Sequence, residues 1–509
     1  MNLLKSTYVF SFYTLISRIL GYLRDILIAA TLGASVFADA FFVAFRLPNT
    51  FRRLFSEGTF NAAFVPSYSS EIAKNEKSGK KFANEIFTLL TIILLAIILL
   101  GEIFTPFLVY LIAPGFFSDP DKFNFAVQLT RITFPFLLFV SLSSFFSAIL
   151  NTHNKFAAAA AAPIILNVVL IISLIISYLY KFDYAINLSY AVSISGFIQL
   201  LFLIFFSKNF YKPSFSLKSY FNKKVKFFFK KLLPSIFSSG ITQINIFIGT
   251  IIASFQAGAV SYLYYADRIY QINLAIAGIA VSTVSLPALT KAIKKNFLSE
   301  INKIQNKSFE ISLLFSLPAS FGLIIGSEEI VNALFGYGSF TKGDIVLTAQ
   351  ALKIFGFGIP AFALIKVMSN LFFARDDTKT PFYISLIIVT VNLFISLIFF
   401  REIGFIIIPI ATTISSWFNA IILFVYLKNK NLFHFNELFF AKLIKILLAS
   451  ILMGIFFNYL ILFFENKLIY EYNFKSFYLI LSAFLSLIFY LSFSLFIKAF
   501  KYGDIKLKY

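Results

Sequence analysis

The sequence predicts an all-α polytopic membrane protein. About fourteen transmembrane helices form two parallel six-helix lobes around a central cavity, with two further helices at the C-terminal end. Three observations carry this. The 509 residues are 59% hydrophobic and only 13% charged, more apolar surface than a soluble chain of this length can bury. Long apolar runs recur along the whole chain, separated by short polar loops. Those loops alternate between rich and poor in lysine and arginine, the pattern that orients helices across a bilayer.

The apolar runs place spans near 7–31, 37–66, 84–113, 125–150, 158–180, 185–207, 232–255, 262–289, 308–335, 346–373, 381–400, 404–427, 441–464 and 474–498. After the second span come Lys74, Lys77, Lys80 and Lys81, and after the sixth come eight lysines from Lys208 to Lys231. Lys291, Lys294, Lys295, Lys303 and Lys307 follow the eighth, ARDDTKTP (374–381) the tenth, and Lys428 and Lys430 the twelfth. The tail adds Lys498, Lys501, Lys506 and Lys508. The alternate loops, LGAS, FSDPDKF, KFDYAI, QAGAVS, GYGSFTKGD and REIG, are poor in basic residues. This alternation puts both termini in the cytoplasm, and one span more or fewer would break it. The start, MNLLKSTYVF, shows no cleavage pattern, so the first helix is expected to be retained as the insertion signal.

Composition narrows the chemistry. Phe, with 71 copies, reads as coding bias rather than function. The absence of Cys excludes disulfides and thiolate metal sites. Two histidines, His153 and His434, argue against a histidine metal centre, and there is no P-loop to hydrolyse ATP, so neither a metal nor another cofactor is expected. The net charge of +21 lies in short loops between apolar runs, which points to membrane orientation and not to nucleic acid. No loop is large enough for an extramembrane catalytic domain, so the chain reads as a transporter and not an enzyme.

Landmarks recur at one offset. Arg46 precedes Pro66 as Arg268 precedes Pro287, Pro135 matches Pro360, and Asn167 matches Asn392, all 221 to 225 residues apart. A six-helix unit repeated once in the same orientation is a transporter architecture. The expected division is an N-lobe over 1–209, a basic amphipathic cytoplasmic linker over 210–231 containing KKVKFFFKK, a C-lobe over 232–430, and two helices within 431–509 that form a lipid-tail groove.

The stretch 17–66 is apolar enough for two spans yet carries Arg18, Arg24, Asp25, Asp39, Arg46, Arg52, Arg53 and Glu57. A charge at the centre of a membrane helix costs about 2.5–3.5 kcal/mol. Such groups are retained where they snorkel, pair, or line a wet cavity. Arg18 and Asp25 are seven apart, as are Ser17 and Arg24, so each pair shares a helix face and lines a cavity or forms a structural ion pair. Pro48 and Asn49 interrupt the second span. Arg53 and Glu57 are i,i+4 partners, and Arg46 either lines the cavity or pairs with Asp39. In the second half Asp267 and Arg268 form an intramembrane pair at the repeat position of Arg46. A cavity lined by Arg18, Arg24, Arg52 and Arg268 predicts an anionic ligand, because guanidinium stays charged and forks onto phosphate or carboxylate oxygens. Diphosphate is the natural candidate; a soluble phosphate metabolite satisfies the charge equally, and the two extra apolar helices lean toward a lipid. Asp376 and Asp377 read as a cap on the next helix.

The motifs SRILGYLRD (17–25), DAFFVAFRLPNTFRRLFSEGTFNAAFVP (39–66), APGF (113–116), ITFPF (132–136), AILNTHNKF (148–156), YYADR (264–268) and FFARDDTKTP (372–381) resemble the MurJ (MviN) family of bacterial lipid II flippases. This family sits in a superfamily with MATE exporters and polysaccharide-lipid flippases. The resemblance implies fourteen helices, alternating access, and movement of lipid II, an undecaprenyl-diphosphate disaccharide-pentapeptide, from the inner to the outer leaflet of the cytoplasmic membrane for cell-wall synthesis. It places the family's cavity arginines on Arg18, Arg24, Arg52 and Arg268, and supporting positions on Ser17, Asp25, Asp39, Asn49, Glu57 and Asp267. It also implies one chain acting as a monomer on a lipid partner. Gly249 stands where some members carry an acid associated with sodium, although the acid at Asp377 is present, so no sodium dependence is expected.

Other readings are a flippase for another undecaprenyl-linked glycan and a MATE-like ion-coupled exporter. An exporter of cations would favour acids over several arginines.

Overall fold

A computed structural model describes residues 3–56, 59–215 and 223–500. The first helix, α1 (Leu3–Leu32), ends where Gly33 turns left-handed at φ 60°, a conformation that costs glycine nothing. After it come α2 (Val36–Ser56), α3 (Thr59–Lys74), α4 (Glu76–Ile103) and α5 (Thr105–Ile112). A short 3-10 turn (Pro114–Ser118) leads to α6 (Pro120–Thr133), α7 (Phe136–Thr152), α8 (Phe156–Tyr180), α9 (Tyr184–Ser207) and α10 (Lys223–Ala253). Short polar side chains set the starts. Asn75 accepts from the Ser78 N–H at 2.6 Å, Asp183 from Ile186 at 2.8 Å, and Asp119, with Pro120 at the first helical position, from Lys122 at 3.1 Å.

The chain continues through α11 (Ala259–Leu274), a π-helical turn (Ala275–Ala280), α12 (Val281–Lys294), α13 (Leu298–Ile325), α14 (Ser327–Phe335) and α15 (Lys342–Phe373). Thr341 and Asp344 cap α15 reciprocally. Then follow α16 (Lys379–Ile403), α17 (Ile407–Asn429), α18 (Phe439–Phe463), α19 (Glu465–Leu468) and α20 (Lys475–Phe496).

The chain forms two compact units, Met1–Ser261 and Tyr262–Tyr509. In the first, an aromatic column of Phe60, Phe64, Tyr68, Phe82, Phe145 and Phe228 joins α3, α4, α7 and α10. In the second, α15 packs between α13 and α17, and α18 lies against α13 and α20. Large apolar side chains on α16 and α20, such as Phe394, Ile398, Phe477 and Ile480, are exposed, as expected where the solvent is lipid.

Each of the fourteen expected spans falls on one helix or on consecutive helical segments. Among the described residues ten helical stretches are long and apolar enough to cross a membrane. One of these, Lys379–Asn429, contains two expected spans, and the remaining expected spans coincide with α1, α2–α3 and α10. The predicted all-helical membrane fold is therefore observed, and a count of fourteen is compatible with it. Part of the expected linker over 210–231 (216–222) lies outside the described residues; from Lys223 the chain is already in α10.

Three helices carry internal prolines whose carbonyl four residues back receives a hydroxyl instead. Pro48 frees the Ala44 carbonyl, to which Thr133 Oγ1 donates at 2.9 Å. Pro318 frees that of Leu314, taken by the Tyr490 hydroxyl at 2.7 Å. Pro360 frees that of Gly356, taken by Ser320 Oγ at 2.8 Å. A buried carbonyl left without a donor costs about 1–3 kcal/mol. Tyr490→Phe and Thr133→Val, which keep shape and remove the donor, are each expected to lower unfolding stability by about 1–2 kcal/mol on that basis. Unfolding of the detergent-solubilised chain measures this, and unchanged midpoints for both would show the hydroxyls to be idle.

Candidate functional site

Arg24 sits on α1 with only 3% of its surface exposed, and Asp25 beside it with 2%. A buried guanidinium is tolerated only when paired and hydrogen-bonded. Arg24 Nη2 lies 2.6 Å from Asp25 Oδ1, and its Nε donates to the same oxygen at 3.0 Å. Its Nη1 donates to Asn167 Oδ1 on α8 at 3.0 Å. Asn167 is itself held, since its Nδ2 donates to the Ser17 carbonyl at 2.8 Å. Ser17, Arg24, Asp25 and Asn167 thus belong to one polar cluster where α1 packs on α8. Face geometry suggested Arg18 with Asp25; the pair formed is Arg24 with its neighbour. Adjacent side chains leave a helix about 100° apart, yet the long arginine side chain folds back to close that gap. Arg18 is exposed on the same helix.

On α2, Arg52 Nε donates to Asn49 Oδ1 at 3.0 Å, one turn apart. Both are half-buried. Glu57, expected to pair with Arg53, lies outside the described residues.

Asp39, in the first turn of α2, is fully buried. Its Oδ2 accepts from Lys122 Nζ at 2.8 Å and from the Gly258 N–H at 2.9 Å. Its Oδ1 accepts from the Ser261 N–H at 3.0 Å and from Ser261 Oγ at 2.7 Å. One carboxylate therefore gathers α2, the start of α6 and the 258–261 turn into α11. Lys122 also lies 4.1 Å from the Phe116 ring centroid. The partner of Asp39 is Lys122, not Arg46. Lys122 looked like a lone residue in an otherwise base-poor loop, and no spacing rule connects residues 83 apart.

In the second unit, Arg268 on α11 donates from Nη2 to the Tyr264 hydroxyl at 3.1 Å, with its guanidinium 5.2 Å from that ring centroid. Gln271 donates to Asp267. Gly249 lies on α10. Asp377 accepts from the Lys379 and Thr380 N–H groups at 3.1 and 3.0 Å, which is the capping role expected of it. Burial alone would raise the Asp377 carboxyl, but the Thr380 and Lys379 hydrogen bonds and the Lys379 charge hold it below the ordinary range. Among the described residues no three His, Cys, Asp or Glu side chains converge as metal ligands.

A family model described as "Lipid II flippase MurJ" matches residues 28–482. The chain belongs to the MurJ family. The probable lipid II flippase MurJ of Rickettsia prowazekii (strain Madrid E) is 40% identical to it over 461 residues, covering 89% of this chain and 90% of the relative. That of Rhizobium tropici is 39% identical over 460 residues, covering 89% and 86%. A solved lipid II flippase MurJ in an inward closed conformation matches 96% of this chain and 99% of its own with a TM-score of 0.82 and 28% identity. An inward-facing multidrug resistance MATE family transporter matches at a TM-score of 0.68 and 14% identity over 81% and 94% of the two chains, a likeness of fold. The motif resemblance is thus borne out for this MurJ-family chain. Asn167 had been noticed only as a repeat landmark; its tie to Arg24 follows from helix packing, which no motif reports.

Breaking a buried ion pair from one side costs about 3–5 kcal/mol, because the remaining charge stays buried. Lys122→Met is therefore expected to destabilise the chain by about that much, and Lys122→Met combined with Asp39→Asn by less than Lys122→Met alone. Thermal unfolding of single and double variants decides; additive losses would mean the two residues are not coupled.

Proposed function

We propose that this chain flips lipid II from the inner to the outer leaflet of the bacterial cytoplasmic membrane by alternating access, supplying precursor for cell-wall synthesis. The family match over residues 28–482 carries this reading. The charge chemistry supports it: Arg18, Arg24 and Arg52 of the first unit and Arg268 of the second are the proposed contacts for the diphosphate. Guanidinium groups remain charged and bind phosphate oxygens in a fork. Arg24 enters that role pre-oriented, because Asp25 and Asn167 fix two sides of its guanidinium. Asn49 does the same for Arg52, and Tyr264 for Arg268. Ser17, Asp39, Asp267 and Glu57 are proposed as supporting residues.

The division into two six-helix lobes with a linker at 210–231 and an appended tail-binding pair after 430 belongs to the same proposal. So do cytoplasmic termini, action as a monomer, and the lack of any catalytic activity or nucleic-acid partner. A MATE-like exporter is the weaker reading, since the likeness there is of fold and arginines would repel a cationic cargo.

Cells depleted of the endogenous flippase and carrying this chain test the proposal. Wild type is expected to restore growth and to clear lipid II from the inner leaflet. Arg18→Ala, Arg24→Ala, Arg52→Ala and Arg268→Ala are each expected to cut that clearance at least tenfold at normal protein level. Accumulation of a different undecaprenyl-linked glycan, with lipid II turnover normal, would replace lipid II as the cargo. Full complementation by all four variants would remove the arginines from the site.

A further inference from the structure

We propose that the first unit holds a site for a small inorganic anion of halide size, in a recess between α2, α7, α8 and α9 that Arg52 borders. The recess is small, a cavity of about 30 Å³, which suits a single ion or a water and nothing larger. Its polar wall comes from Arg52 on α2, Ser143 and Ser147 on α7, and Gln199 on α9; Pro163 on α8 and Leu203 on α9 close it. The sequence builds it by helix periodicity. Ser143 and Ser147 are i,i+4 on α7, as Gln199 and Leu203 are on α9, so each pair presents one face to the same space.

Two of these groups have donors with nothing to bind. Gln199 Nε2 and Ser143 Oγ are buried and make no hydrogen bond in the structure, and each residue is only 4% exposed. Buried amides and hydroxyls in folded proteins are almost always satisfied. Two unsatisfied donors lining one recess point to an occupant that accepts hydrogen bonds. The charge of Arg52 borders the same space, with its Nε already engaged by Asn49. None of the described residues lining the recess is acidic. Donors, a positive neighbour and no acid at low local dielectric favour an anion over a cation.

This inference goes beyond the flippase reading and stands without it, because it concerns binding by the first unit's own residues and needs no lipid. The test uses the full-length chain in lipid nanodiscs. Thermal unfolding is followed against sodium bromide or sodium chloride at constant ionic strength, with sodium gluconate as the balancing salt. A ligand that binds only the folded state raises the midpoint as its concentration rises. Wild type is expected to show a saturable halide-dependent rise. Gln199→Leu and Ser143→Ala are expected to fold in gluconate and to weaken apparent halide affinity at least tenfold. Crystals grown in bromide are expected to show anomalous scattering between Gln199 and Ser143. Equal midpoints in halide and gluconate for wild type would overturn the site and leave the recess to water. A halide response intact in both variants, or bromide found only elsewhere, would overturn it as well.

Discussion

A membrane interior offers no water to a backbone, so every amide and carbonyl at depth needs a partner inside the protein. The prolines of this chain make that demand visible. Each one placed inside a helix withdraws an N–H from a carbonyl four residues earlier. At Pro48, Pro318 and Pro360 the freed carbonyl is met by a hydroxyl from another helix: Thr133, Tyr490 and Ser320. The proline decides which carbonyl is freed, and the hydroxyl decides which neighbouring helix meets it.

The same demand governs the charges, at higher stakes. Arg24 is matched by Asp25 and Asn167, and Asp39 by Lys122, two backbone amides and a serine hydroxyl. These clusters differ in what they can do. Asp39 has all its capacity taken up by donors from three elements and serves as a fastening. Arg18, exposed on α1, and Arg52, half-buried on α2, keep accessible surface.

Much of this was legible in the sequence, for reasons that particular residues make plain. Helix existence followed from apolar run length, because that is a local property. Pro48 correctly marked an interrupted ladder, and Asp377 correctly read as a cap, since each acts within one turn of itself. Pair identities were not legible. Asp39 finds Lys122, and Arg24 finds Asn167, across 83 and 143 residues. Such partners are chosen by helix packing, and an isolated sequence offers no periodicity that spans it. The family motifs supplied the site list; they did not supply who holds whom.

The last two long helices have a mechanical consequence. At one end Lys442 of α18 meets Glu310 of α13 at 2.8 Å. One turn further along α13, the Tyr490 hydroxyl of α20 donates to the Leu314 carbonyl. At the other end Lys475 donates to the Gly336 and Tyr470 carbonyls at 2.5 and 2.6 Å, while Asn332 reaches the Leu468 carbonyl at 2.7 Å. A hairpin fastened near both ends cannot swing like a door. Tied to α13, to α14 and to the turn after α14, the pair is held to its own unit as a stiffening rib.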